Sequence, residues 1–193
     1  MTTLDPLACA VFLIVAFVIA GIAQTVWFTT EWSRALAFPL DGGLTLRGRR
    51  LFGENKTARG FVVMVPATAT AFVMVALGAA SGSPAAAGLW DLSPLGYAAL
   101  GAWAGFGFMA GELPNSLVKR QLGIEPGRAA HGLAFAGQFI ADRLDSGIGM
   151  LAAVSLAVPT SWRIWTLVLV LGPAIHWAFS VAMFKLGIKG RPA

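Results

Sequence analysis

Charge is scarce in this sequence. Asp, Glu, Lys and Arg make up only 12% of its 193 residues, about half the share a soluble domain carries. A charge-covered soluble globule is therefore not expected. Cysteine is scarcer still. Cys9 stands alone in an apolar run, so there is no internal disulfide and no cysteine-based metal motif, and packing is its plain reading. The first six residues contain no Lys or Arg. A cleaved signal peptide wants a basic start and a shorter apolar run, so the first hydrophobic segment is expected to be retained as a span. No nucleophile elbow, HExxH or dinucleotide fingerprint is present. Nor is there an internal repeat or a low-complexity linker.

What the chain has in abundance is apolar sequence, 57% hydrophobic, gathered in long runs. A crossing takes roughly 20 apolar residues for a core of about 30 Å. Five segments qualify: residues 7–28, 60–80, about 92–111, one within 132–158, and 164–184. Pro66 is an expected kink in the second, and Pro173 and His176 lie in the fifth. The expected fold class is an all-α integral membrane protein with five transmembrane helices, forming one domain over residues 1–193. Gly101 and Gly105, spaced i, i+4, offer a face that another helix can approach closely.

Basic residues set the orientation. Residues 29–59 hold Arg34, Arg47, Arg49, Arg50, Lys56 and Arg59; residues 112–131 hold Lys119, Arg120 and Arg128; the tail holds Lys185, Lys189 and Arg191. Twelve of the fourteen basic residues thus fall on one side, which the positive-inside rule makes cytoplasmic. The N-terminus is then expected outside and the C-terminus inside, as an odd number of spans requires. The net charge of +5 suits anionic lipid headgroups. Nucleic acid is not an expected partner, because the cations lie against the membrane rather than on a free domain.

Three polar stretches interrupt this pattern. Asp142 and Asp145, three residues apart, share one face of a helix, and intramembrane charge costs roughly 2.5–3.5 kcal/mol per residue by insertion scales. Twelve residues separate Asp145 from the next turn, about 18 Å at 1.5 Å each, so the pair is expected roughly 12 Å inside the cytoplasmic boundary of a core of about 30 Å. Such carboxylates need a cation, and hard divalent ions take them; a salt-bridge network with Arg143 is the plainer alternative. Residues 47–60 gather five cations and three glycines, a composition suited to phosphate, though also to an ordinary stop-transfer loop. Residues 111–120 mix Glu112, Asn115, Ser116, Lys119 and Arg120, read as a loop lining a site. His176, deep in the fifth span, is a functional candidate or a histidine hydrogen-bonded between helices.

In combination these residues resemble one family. Pro39-Leu40-Asp41-Gly42-Gly43, Arg49 through Gly60, and Gly111-Glu112 through Arg120 look like the loops of CDP-archaeol synthases. Asp142-Arg143-Leu144-Asp145-Ser146 is similar to that family and to the wider CDP-diacylglycerol synthases. His176 and Leu186-Gly187-Ile188-Lys189 also fit. The resemblance covers roughly residues 39–190. The diacylglycerol enzymes carry a lysine–aspartate pair, the aspartate a metal ligand, where Glu125-Pro126 stand here; Glu112 is the candidate replacement.

The resemblance implies a CTP-dependent cytidylyltransferase that converts a membrane lipid phosphate to a CDP-lipid plus pyrophosphate, a multi-pass protein of the cell membrane with its active site facing the cytoplasm. It implies magnesium as cofactor, on Asp142, Asp145 and Glu112. Lys119 and Arg120, with the two aspartates, are the expected catalytic set. Lys56, Thr57, Arg59, Asn115, Ser116, Asp41, Arg50 and His176 are expected at the substrates. CTP, the lipid phosphate and surrounding lipids are the expected partners, and a homodimer is compatible with the chain. Two rivals stay open at this point: a small transporter using the intramembrane charges, and a non-enzymatic membrane scaffold.

Overall fold

The computed structural model describes residues 4–80, 88–125 and 133–185. Five long helices dominate: α1 (Pro6–Thr29), α3 (Ala58–Ala80), α4 (Pro94–Gln121), α5 (Leu133–Ala157) and α6 (Trp162–Lys185). A short helix, α2 (Glu31–Ala35), and a two-stranded hairpin, β1 (Thr45–Leu46) with β2 (Arg49–Arg50), lie between α1 and α3. Each apolar segment expected from the sequence becomes one long helix. By length and composition, α1 and α3 are apolar enough to cross a membrane. The bundle also leaves large apolar side chains such as Val26, Met74, Leu95, Leu156 and Val170 exposed. Water penalises such faces and lipid does not.

Helix starts are written locally. Asp5 accepts the Leu7 N–H at 2.9 Å ahead of Pro6, and Ser93 accepts the Gly96 N–H at 3.1 Å ahead of Pro94, each an N-cap followed by proline at the first helical position. The core sits toward the α1 N-terminal end. There Phe12 meets Phe72 edge-on at 5.0 Å, and Tyr97 donates to the Trp90 carbonyl. Trp90 Nε1 ties this end to the Pro159 carbonyl at 2.8 Å.

α4 is the central helix, and glycine decides how. A Cβ at Gly101 or Gly105 would fall 2.5 Å from the Thr68 carbonyl or 2.1 Å from Thr68 Oγ1, so α3 packs directly on the expected Gly101–Gly105 face. A second seam, Gly107 and Gly111, receives α5 at Gly149: a Cβ at Gly149 would lie 2.3 Å from the Gly107 carbonyl. Two small-residue seams on one helix bring both neighbours to backbone contact.

One expectation about the loops is corrected. Residues 112–121 are not loop: α4 runs unbroken through Pro114 to Gln121. Glu, Leu, Lys, Arg and Gln are good helix formers, so polarity here marks the membrane boundary and not the helix end. The glycines of the first loop also shape its backbone. Gly42, Gly43, Gly48 and Gly53 all have positive φ. Arg47 (φ 54°) and Gly48 (φ 75°) form the two-residue turn of the hairpin, where left-handed conformations at both positions match the strand twist.

Candidate active site

The first loop is held by its own backbone. Leu40 N–H donates to the Lys56 carbonyl at 2.8 Å, Ala58 N–H to the Phe38 carbonyl at 3.1 Å, and Arg59 N–H to the Leu36 carbonyl at 3.1 Å. Residues 55–57 are thereby fixed at the foot of α3. Asp41 staples the rest. Only 3% exposed, it accepts the Gly43 N–H at 3.0 Å on one oxygen and those of Phe52 (3.1 Å) and Gly53 (3.0 Å) on the other, and pairs with Arg50. Burial pushes this carboxyl up, but the Arg50 guanidinium and the three N–H groups outweigh it and hold Asp41 well below the usual carboxylate range. Asp41 and Arg50, expected at a substrate, pair with each other and brace the loop. Arg49 Nη1 donates to the Gln121 carbonyl, which fastens the hairpin to the end of α4.

Across from this loop, polar side chains of α4 and α5 form one continuous chain. Lys56 pairs with Glu112 through Oε2. The other Glu112 oxygen accepts from Ser146 Oγ at 3.0 Å, and that hydroxyl lies 3.2 Å from Asp145 Oδ1. Asn115 Nδ2 donates to Asp145 Oδ2 at 2.8 Å and to Asp142 Oδ1 at 2.6 Å. Lys119 Nζ completes the chain on Asp142 at 2.6 Å. The spacing of the two aspartates therefore has the expected effect: both face one point. Among the described residues no group of three or more His, Cys, Asp or Glu is gathered for a metal. Glu112, the expected third carboxylate, faces Lys56 and Ser146.

Arg120 and Arg59 flank this chain. Arg120 Nε and Nη1 and Arg59 Nε are buried without a hydrogen-bond partner among the described residues, a costly state for a cationic donor. The Arg59 guanidinium lies 4.6 Å above the Phe28 ring. It opens on a cleft of about 180 Å³ lined by Gln24, Phe28, Lys56, Thr57, Phe61 and Glu112, among others. A larger cavity of about 430 Å³ at the opposite end is lined by Leu77, Trp90, Asp91 and Tyr97 and has no basic side chain, so the smaller one is where phosphate chemistry fits.

The sequence pattern of the CDP-archaeol synthase family matches residues 35–192. The chain belongs to the CDP-archaeol synthase family. A CDP-archaeol synthase of Halorubrum lacusprofundi is 36% identical over 162 residues, covering 80% of this chain and 83% of the relative. One of Aeropyrum pernix is 37% identical over 157 residues, covering 80% and 78%. A solved intramembrane enzyme for archaeal membrane lipid biosynthesis superposes with a TM-score of 0.62 at 26% identity, covering 88% of this chain and 92% of that one. The chain is thus a membrane enzyme of the expected class, a CTP:lipid-phosphate cytidylyltransferase. The transporter and scaffold readings are set aside.

Of the expected site residues, Lys56, Glu112, Asn115, Lys119, Asp142 and Asp145 come together in the polar chain. Thr57 and Arg59 line the cleft, and Ser116 is buried in α4. His176 belongs to α6, but its side chain lies outside the described part, as do residues 186–189. Sequence reasoning missed Gln24, a lone amide near the end of an apolar run, whose Nε2 lies 3.7 Å from Met109 Sδ. It also left Ser146 without a role, although it stands beside Asp145.

Proposed function

We propose that the polar chain from Lys56 to Lys119 is the catalytic centre, that it faces the cytoplasm, and that the five long helices span the membrane with the N-terminus outside. The lipid we propose is an archaeol-type phosphate, as in the names of the relatives. One observation carries the reading of the site: seven side chains from three separated stretches, Ser146 among them, link two cations, Lys56 and Lys119, to the convergent carboxylates of Asp142 and Asp145.

In the reaction, an oxygen of the lipid phosphate attacks the α-phosphorus of CTP. A new P–O bond forms, the bond from the α-phosphorus to the bridging oxygen breaks, and pyrophosphate leaves with the electron pair. The lipid phosphate is already a nucleophile, so no side chain needs activation; alignment and charge neutralisation remain. Lys119 and Arg120 contact the triphosphate, and Lys56 and Arg59 hold the acceptor phosphate at the cleft. The unpartnered nitrogens of Arg120 and Arg59 suit that role, since each arriving oxygen satisfies a buried donor. Asn115 and Thr57 add neutral donors.

Asp142 and Asp145 fit magnesium. Two hard oxygens held on one Asn115 nitrogen would equally hold a divalent cation. A bound magnesium would neutralise phosphate charge, and Asn115 then serves as the side chain that keeps the two carboxylates together. The decisive experiment is incubation of the purified protein with labelled CTP, magnesium and a panel of ether-linked isoprenoid and ester-linked acyl lipid phosphates. Labelled CDP-lipid and pyrophosphate are expected, most with the isoprenoid ether. No labelled lipid from any substrate would overturn the reading.

A further inference from the structure

Ser146 is the one described side chain whose hydrogen bonds join Glu112, and through it the first loop, to the aspartate pair. Its hydroxyl has a single hydrogen and two carboxylates within reach, Glu112 Oε1 at 3.0 Å and Asp145 Oδ1 at 3.2 Å. Its backbone N–H already donates to the same Asp145 oxygen at 2.6 Å. Asp145 therefore has a fixed donor, whereas the Ser146 hydroxyl is the sole described neutral donor on Glu112. On its other oxygen Glu112 holds Lys56. The Lys56 ammonium is in this way tied to the helix turn that carries Asp145, through two contacts and no intervening backbone.

We infer that Ser146 is a positioning residue for cytidylyl transfer: by bridging Glu112 and Asp145 it sets the distance between the Lys56 subsite and the aspartate pair. This rests on the reading of the site given above. Two phosphates must meet in line in this reaction. One is held by cations of the first loop, the other by groups of α4 and α5, and nothing in the covalent chain fixes their separation closely. A hydroxyl bridge between two carboxylates does so, because it replaces their mutual repulsion with a shared donor. It is also able to follow the chemistry. Because Asp145 keeps its backbone donor, the hydroxyl hydrogen is free to turn wholly to Glu112. That steadies Glu112 as Lys56 leaves it for an incoming phosphate.

The test is steady-state kinetics of Ser146→Ala and Ser146→Thr in purified full-length protein, with Lys56→Ala and the double variant. Misplacement of reacting groups by a fraction of an ångström to an ångström costs about 10- to 100-fold. Ser146→Ala is expected to lose that much in kcat with the KM for CTP changed less than threefold. Ser146→Thr, which keeps the hydroxyl, is expected to restore most of it. In the Lys56→Ala background, Ser146→Ala is expected to cost little more, because its effect runs through Glu112 to Lys56. Should Ser146→Ala not accumulate as folded protein, Ser146→Cys keeps the size, weakens the donor and carries the same comparison. Full, additive losses in the two backgrounds, or an unchanged kcat, would overturn the inference while leaving the cytidylyltransferase reading intact. A wild-type protein inactive on every lipid phosphate sinks both.

Discussion

Two aspartates show how the same side chain serves opposite ends. Asp41 is buried and spends both oxygens on three backbone N–H groups and Arg50. Asp142 pairs with Lys119 at 2.6 Å with 37% of its side chain exposed. Asp41→Asn should leave loop donors unsatisfied and cost about 1–3 kcal/mol, read as a lower unfolding temperature in detergent. Asp142→Asn loses a partly solvated pair worth at most about 1 kcal/mol, yet is expected to lower turnover by about 100-fold or more, as removal of a preorganised charged group does. The reverse pattern, a large stability loss with intact turnover, would remove Asp142 from the site. The depressed pKa of Asp41 also has a sign. Its contribution is fully present above the ordinary carboxylate value of about 4 and is lost only as pH falls further, toward the folded value. Limited proteolysis of the first loop is thus expected to be as slow at pH 5 as at pH 7. Of these roles, the shared face of Asp142 and Asp145 was legible from a spacing of three. The Lys56–Glu112 pair, 56 residues apart, was not, because it depends on how α3 meets α4.

At the scale of elements, the five apolar runs announced the five long helices. Hydropathy reports where lipid ends, however, and so it stopped the third segment ten residues short of Gln121. The hairpin escaped notice because its turn carries arginine where asparagine is usual. Arg47→Asn creates the Asn-Gly pair favoured in such turns. It should raise loop stability by up to about 1 kcal/mol, the scale of left-handed strain in a non-glycine residue, measurable as a raised unfolding temperature. The glycine seams give a paired prediction. Gly149→Ala drives a Cβ into backbone, 2.3 Å from the Gly107 carbonyl and 2.6 Å from Gly111 Cα, and should cost about 1–3 kcal/mol and disturb Asp145 one turn away. Gly60→Ala meets only the mobile end of Met109, its Cε at 2.5 Å, and should be tolerated. Equal unfolding temperatures for the two variants would contradict the close approach of α4 and α5.

For the molecule as a whole, the polar chain lies at the end where α1 and α4 finish and α3 and α5 begin. The orientation proposed for that end is checked by reporter fusions: cytoplasmic signals are expected after residues 55, 122 and 193, and an external one after residue 86. An external signal at residue 55 or 122 would place the site away from CTP. α4 also has a mechanical meaning. The helix that is clamped by its glycines is the one that carries Glu112, Asn115, Lys119 and Arg120, so in the proposed five-span arrangement it acts as a stiff lever with its pivot in lipid. From Gly111, the last of the seam glycines, to Lys119 the arm is about 12 Å at 1.5 Å per residue. Helices answer a change in bilayer thickness by tilting, and a tilt of about 5° swings the tip of such an arm by roughly 1 Å, enough to spoil an in-line alignment. Turnover should therefore peak at one acyl-chain length in reconstituted bilayers and fall on either side, so that an enzyme that builds membrane also gauges it.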